Sequence, residues 1–292
     1  MYTYSIQSAT PNIIKSKAHS ISKATHGASE MQHLKGKWRT NIVFLVALWL
    51  ILLLSSVTIL ASAVRPFLKS LQTTTLISLD WSGYAVSSSN VFPLPQVDGV
   101  NGSWTVPRVT PSIIDTFSAA WIGIGGQMDT TLIQAGSEQD CINGQPVYSL
   151  WYELLPGNSV PIQNVTVSPG DQITASIQLS DIKTNTWIVN VNDLTAGICY
   201  TQNCTSQNLA YNSSRLTAEW IMERPTVNNQ ISTLTNFGTI TFTDASAIVG
   251  GKVGTVNDFS NYQVIMQDRE NNQLVSVSNL VKGGSSFTVT YK

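Results

Sequence analysis

From Leu79 to Lys292 the chain is a succession of short runs rich in Val, Ile, Thr, Tyr and Trp, each cut by a turn signal. Asn143-Gly144 breaks two such runs and Pro156-Gly157 ends another. Ser168-Pro169-Gly170-Asp171 opens Gln172 to Leu179, and Lys183-Thr184-Asn185 then leads into Trp187 to Val191, the pattern of a hairpin. Apolar positions recur with period two, and no helical period persists, so the pattern predicts an all-β domain over residues 79–292. Strands this short and numerous suit one sandwich or barrel, with no sign of a second domain or an internal repeat.

The alternation also assigns faces, because successive strand side chains point to opposite sides. In Thr131 to Ala135, Leu132 and Gln134 share a side opposite Thr131, Ile133 and Ala135. In Ser149 to Leu154, Trp151 and Glu153 oppose Leu150, Tyr152 and Leu154; in Thr217 to Glu223, Glu219, Ile221 and Glu223 oppose Ala218, Trp220 and Met222. Three runs thus offer one apolar face and one mixed face. If they neighbour one another in a sheet, Gln134, Trp151, Glu153, Glu219 and Glu223 share a surface suited to a polymer, although any exposed sheet face carries Glu and Gln.

A different pattern precedes the domain. Ile42 to Val64 is a run of apolar and small residues without a charge, long enough to cross a bilayer core as a helix. Six Lys and Arg (Lys15, Lys17, Lys23, Lys35, Lys37, Arg39) and one acid, Glu30, precede it, so residues 1–41 are expected on the cytoplasmic side and the rest outside. Ala61-Ser62-Ala63 has the form of a signal-peptidase site. The expectation is a single-pass anchor with the domain outside the cell membrane, or a secreted domain if cleavage follows Ala63, with residues 65–78 as a linker.

Beyond Val64, ten Lys and Arg face sixteen Asp and Glu, a balance of −6. No basic patch suggests nucleic acid. In an oxidising compartment Cys199 and Cys204 are close enough in sequence to pair, leaving Cys141 free or paired elsewhere. All three histidines, His19, His26 and His33, precede the apolar run, so the domain holds neither a Ser-His-Asp triad nor a His-ligated zinc. Carboxyls, amides and tryptophans remain, and no cofactor or metal is implied.

The segments Trp81-Ser-Gly-Tyr-Ala85, Gly102-Ser-Trp-Thr-Val-Pro107, Ala120-Trp-Ile-Gly-Ile-Gly-Gly126, Leu132-Ile-Gln-Ala-Gly136, Trp151-Tyr-Glu153, Ala218-Glu-Trp-Ile-Met-Glu223 and Asn236-Phe-Gly238 occur in an order that resembles the glutamic peptidases, or eqolisins. The resemblance implies a concanavalin-like sandwich of two antiparallel sheets, acid endopeptidase activity on protein or peptide substrates, and a monomer. By motif match it places the catalytic pair at Gln134 and Glu219, and Trp121, Glu138, Trp151 and Glu153 in or near the cleft. Gly125 departs from the pattern, standing where the family commonly has an aspartate; Leu154 and Leu155 replace aromatic residues. In this reading an amide and a carboxyl on adjacent strands hold a water between them, and neighbouring acids raise the pKa of Glu219. A glycoside hydrolase using Glu153 and Glu219, or a noncatalytic lectin, are the alternatives.

Overall fold

In a computed structural model of the chain, residues 74–87, 95–195 and 207–292 are described. The alternating runs become strands of two stacked sheets. The first contains β1 (Thr74–Ser78), β2 (Trp81–Ser87), β4 (Ala119–Gly125), β5 (Leu132–Ile142), β6 (Gln145–Leu154), β7 (Val160–Pro161), β11 (Thr217–Glu223) and β16 (Ser260–Met266), in the order β1-β16-β2-β11-β4-β5-β6-β7. The second contains β3 (Val97–Thr105), β8 (Gln172–Asp181), β9 (Thr186–Asp193), β10 (Gln207–Ala210), β14 (Thr239–Val249), β17 (Val275–Val277) and β18 (Phe287–Tyr291), ordered β10-β9-β8-β3-β14-β18-β17, with β15 (Lys252–Thr255) pairing β14. A small hairpin, β12 (Thr226–Val227) with β13 (Gln230–Ile231), and two short 3₁₀ turns complete the described elements.

The turn chemistry accounts for the connections. Asn143 and Gly144 take positive φ (50° and 75°), as a tight hairpin between β5 and β6 requires, and Asn185 does the same (49°) in the loop from β8 to β9. Two expectations need correction. Residues 74–78, the end of the stretch read as a linker, form β1, since Thr74, Thr75 and Ile77 are β-branched and suit an edge strand. That strand runs parallel to β16, so the first sheet is not purely antiparallel.

The inward faces of both sheets meet in one core that includes Ile122, Ile133, Trp187, Trp220, Phe242 and Phe287. Burial of each such side chain contributes about 1.5–3 kcal/mol relative to exposure. Polar ends within it are satisfied across the sandwich: Trp220 Nε1 donates to Asn101 O (2.6 Å) and Trp104 Nε1 to Ser137 Oγ (2.9 Å). Arg215, at φ 59°, joins the sheets just before β11 begins. Its Nε donates to Val97 O (3.1 Å), its Nη1 to Gln96 Oε1 (2.8 Å), and its Nη2 pairs with Asp98, while its own carbonyl accepts from Val97 N (2.8 Å).

The apolar run 42–64 and the Cys199–Cys204 pairing lie outside the described residues. Among the described residues no helix is long and apolar enough to cross a membrane. Cys141 is a buried free thiol on β5.

Candidate active site

The first sheet turns Ala120, Ile122, Ile133, Ala135, Ala218, Trp220 and Met222 toward the core. Its other face carries a separate apolar cluster, including Trp81, Trp121, Leu132, Trp151 and Ile221. The polar members of that face are Gln134, Glu153, Glu219 and Glu223, so the period-two assignment matches the strands as they lie. The face is not an exposed surface as expected from alternation: Gln134, Glu153 and Glu219 are 0% exposed and Glu223 is 1%.

Register places these residues in rows across the sheet. Glu219 on β11 stands opposite Gly123 on β4, Gly123 opposite Gln134 on β5, and Gln134 opposite Glu153 on β6. Gln134 and Glu219 are therefore not on adjacent strands. One strand separates them, a backbone spacing of about 9.6 Å, and the residue between them is a glycine. Gly123 puts no side chain between them, and a Cβ there would meet Trp121 Cζ3 at 2.8 Å and Leu132 Cδ1 at 2.9 Å, so the edges of those two side chains lie over the glycine.

The next row toward the other end of β11 is Ile221, Trp121, Gly136 and Trp151, and the one beyond it is Glu223, Ala119, Glu138 and Ser149. Trp121 and Trp151 thus lie beside the Gln134–Glu219 row. Glu138 shares the face but sits four residues along β5 from Gln134, roughly 13 Å at the usual strand rise. Its Oε2 accepts from Ser149 Oγ (2.9 Å), so Glu138 is not brought to the pair.

Gln134 Nε2 donates to Glu153 Oε2 at 2.6 Å, while Gln134 Oε1 and Glu153 Oε1 are buried without hydrogen-bond partners. Both carboxyl oxygens of Glu219 are likewise unpartnered. Buried polar atoms are ordinarily paired, and their concentration here leaves the amide oxygen of Gln134 and the carboxyl of Glu219 available to a reacting group. Trp121 Nε1 donates to Glu223 Oε2 (2.7 Å), and Trp81 packs edge-on against Trp121 with ring centroids 5.0 Å apart.

Burial dominates the electrostatics. Loss of hydration pushes the Glu219 carboxyl well above the usual glutamate range, and the charge of Asp129 adds to the rise. Thr217 lies close enough to temper that rise, although its Oγ1 makes no hydrogen bond of ordinary geometry. The expectation that neighbouring acids raise Glu219 is thus refined: desolvation leads, and Asp129 supplies the like charge. Burial also takes Glu153 to about 8, against the lowering effect of the bond from Gln134, with Glu138 adding a small rise. A neutral Glu153 accepts from Gln134 at Oε2, which leaves its own proton on Oε1.

Reasoning from sequence missed Gly123 and Asp129. Gly123 was legible as a glycine in a strand, a common mark of close approach, but its place between Glu219 and Gln134 required the strand order. Gly125 has φ 94°, and a Cβ would fall 2.3 Å from Thr131 O, so this turn accommodates no side chain there. Asp129 lies four residues on, its Oδ1 held by Thr131 N (2.6 Å) and Thr131 Oγ1 (2.5 Å), with Oδ2 buried and unpartnered. Among the described residues, no group of His, Cys, Asp and Glu is arranged to hold a metal ion.

Comparison with known proteins gives the family and the fold. Aspergillopepsin-2 of Aspergillus niger is 28% identical over 175 residues, 60% of this chain. The chain spans 59% of the length of that curated relative. A crystal structure of scytalido-glutamic peptidase with a peptide-based transition-state analogue shares the fold, with a TM-score of 0.59 and 22% identity over 74% of this chain and 99% of that one. The crystal structure of aspergilloglutamic peptidase from Aspergillus niger gives a TM-score of 0.52 and 28% identity over 61% of this chain and 99% of that one. The family profile itself matches residues 79–291, which include every strand of the row from Glu219 to Glu153. The chain belongs to the Peptidase A4 family, the glutamic peptidases.

Proposed function

We propose that the domain is an acid endopeptidase that hydrolyses peptide bonds in proteins by direct attack of water, with Glu219 and Gln134 as its catalytic residues. The observation that carries this reading is the row Glu219, Gly123, Gln134: a carboxyl and an amide flank the one position without a side chain, with the carboxyl and the amide oxygen free of other partners. Glu219, as carboxylate, takes a proton from the attacking water and returns it to the leaving amine, a role typically worth about 10²–10⁴ in rate. The raised proton affinity of Glu219 makes it a stronger base than an ordinary glutamate.

Gln134 has two tasks, and its hydrogen bond to Glu153 sorts them. One N–H is committed to Glu153, which fixes the plane of the amide. The oxygen then serves to hold the water, and the second N–H to stabilise the oxyanion, a contribution of roughly 3–4 kcal/mol in comparable sites. Glutamine does not titrate, so the pH response rests on Glu219 and the carboxyls around it.

The glycosidase alternative is less well supported. Glu153 and Glu219 are three strand spacings apart, about 14 Å between backbones, with Gln134 bonded to Glu153 on the line between them. The residues further support a location outside the membrane, with 42–64 as the anchor or export signal. Digestion of casein by the purified chain across acidic pH, with pepstatin present, tests the reading. Cleavage is expected to persist with the inhibitor and to vanish in folded Glu219→Gln and Gln134→Ala variants. Full activity in either variant would refute it.

A further inference from the structure

We propose that Glu223 is a positioning residue for the reaction: it holds the Trp121 indole so that the benzenoid edge walls the space between Gln134 and Glu219. The inference rests on the peptidase reading above and adds a residue to it. Glu223 is two rows from Glu219 on the same face of β11 and makes no direct contact with the catalytic pair; its effect must pass through a neighbour. That neighbour is Trp121, whose Nε1 donates to Glu223 Oε2 at 2.7 Å.

The opposite end of the same indole reaches the catalytic row, where Cζ3 lies 2.8 Å from the point a Cβ on Gly123 would occupy. Gly123 is the residue in register between Glu219 and Gln134. The ring therefore runs along the strand from Glu223 to the reacting centre, and Trp81, edge-on at 5.0 Å and 80°, prevents it from tilting away. Rotation of the indole about its side-chain bonds would swing the ring edge into or out of the space where a water and a scissile carbonyl meet. A single hydrogen bond at its far end opposes that rotation.

Burial pushes the Glu223 carboxyl well above the usual range, with Asp80 and Glu153 adding charge repulsion and Trp121 opposing the rise. Glu223 thus serves as a neutral acceptor, a role that a glutamine amide oxygen can fill.

The test compares Glu223→Ala, Glu223→Gln and Trp121→Phe in the full chain carrying ¹⁵N-indole tryptophan, with the Trp121 N–H resonance assigned by its loss in Trp121→Phe. Glu223→Ala is expected to move that resonance and to lower kcat by about 10- to 100-fold with KM little changed, since misplacement by an ångström has costs of this order. Glu223→Gln is expected to retain both. The proposal is overturned if the Trp121 resonance is unmoved in Glu223→Ala, if kcat is intact there, or if Glu223→Gln is as defective as Glu223→Ala. Should Glu223→Ala fail to fold, wild-type kcat in Trp121→Phe would overturn it equally. A wild-type chain that cleaves nothing in acid would instead sink the peptidase reading, and the resonance would still decide whether Glu223 holds Trp121.

Discussion

Gln134 and Glu153 face each other directly across β5 and β6, joined by a 2.6 Å hydrogen bond from the amide nitrogen to one carboxyl oxygen. The bond makes a chemical choice. It commits the amide nitrogen to Glu153 and leaves the amide oxygen of Gln134 buried without a partner. Removing the acceptor lets the amide flip or rotate. Glu153→Ala is expected to lower kcat/KM by about tenfold, the loss of one hydrogen bond of about 1.4 kcal/mol, whereas Glu153→Gln keeps an acceptor oxygen and is milder. Steady-state kinetics on a peptide substrate measures both; equal activity in wild type and Glu153→Ala would show that the bond orients nothing.

Gly123 leaves no room for a side chain between Glu219 and Gln134. A methyl group there would lie 2.8 Å from Trp121 and 2.9 Å from Leu132, so one of them must shift. Gly123→Ala is expected to cost roughly 1–3 kcal/mol of stability as overpacking and about 10²-fold in kcat/KM through displacement of the ring. Thermal unfolding and kinetics on the same sample separate the two effects, and unchanged kinetics would mean the space is not where reaction occurs.

The pH profile reports on Glu219. In the proposed mechanism Glu219 is a base and loses function when protonated, so kcat/KM falls as pH falls through its pKa; because burial raises that pKa, the fall is expected within the acidic range, with cleavage strongest at its weakly acidic end. Asp129→Asn retains the oxygen that Thr131 binds but removes a like charge. The falling limb is expected to move to lower pH. A shift upward would contradict the assignment of Asp129.

Stability responds to pH through the same burial. Asp80, Asp140, Glu153, Glu219 and Glu223 all have raised proton affinities in the fold. Below about pH 4 each is protonated in the folded and unfolded chain alike, and the full contribution is present. As pH rises the unfolded chain releases these protons first, so stability declines until the folded carboxyls ionise, near 8 for Glu153. Each unit of raised pKa corresponds to about 1.4 kcal/mol, enough to lower Tm by several degrees. Calorimetry from about pH 4 to 8 should show Tm falling; a rise across that interval would contradict the raised proton affinity of these groups.

The sequence disclosed the strand faces more reliably than the strand neighbours. Period two placed Gln134, Trp151, Glu153, Glu219 and Glu223 on one side because that rule depends only on local backbone geometry. The insertion of β4 between β5 and β11 depends on which strands pair, which alternation does not encode, so Gly123 escaped notice. Burial was misjudged for a related reason: a face with three glutamates reads as solvated until Trp81, Trp121, Leu132 and Trp151 are seen to cluster on it. Asp129 carried no periodic signal, because it lies in the turn before β5 rather than on a strand.

The rivet at Arg215 guards against an error peculiar to sheets. Arg215 precedes Glu219 by four residues and grips Gln96, Val97 and Asp98 at the head of a strand in the opposite layer. Were β11 to slide by one position, Trp220 would take the place of Glu219 and the glutamate would be driven into the hydrocarbon interior. A residue remote from the chemistry thereby decides which side chain presents itself to it, so damage at Arg215 would surface as a mixture of competent and inert molecules rather than as a uniformly slower enzyme.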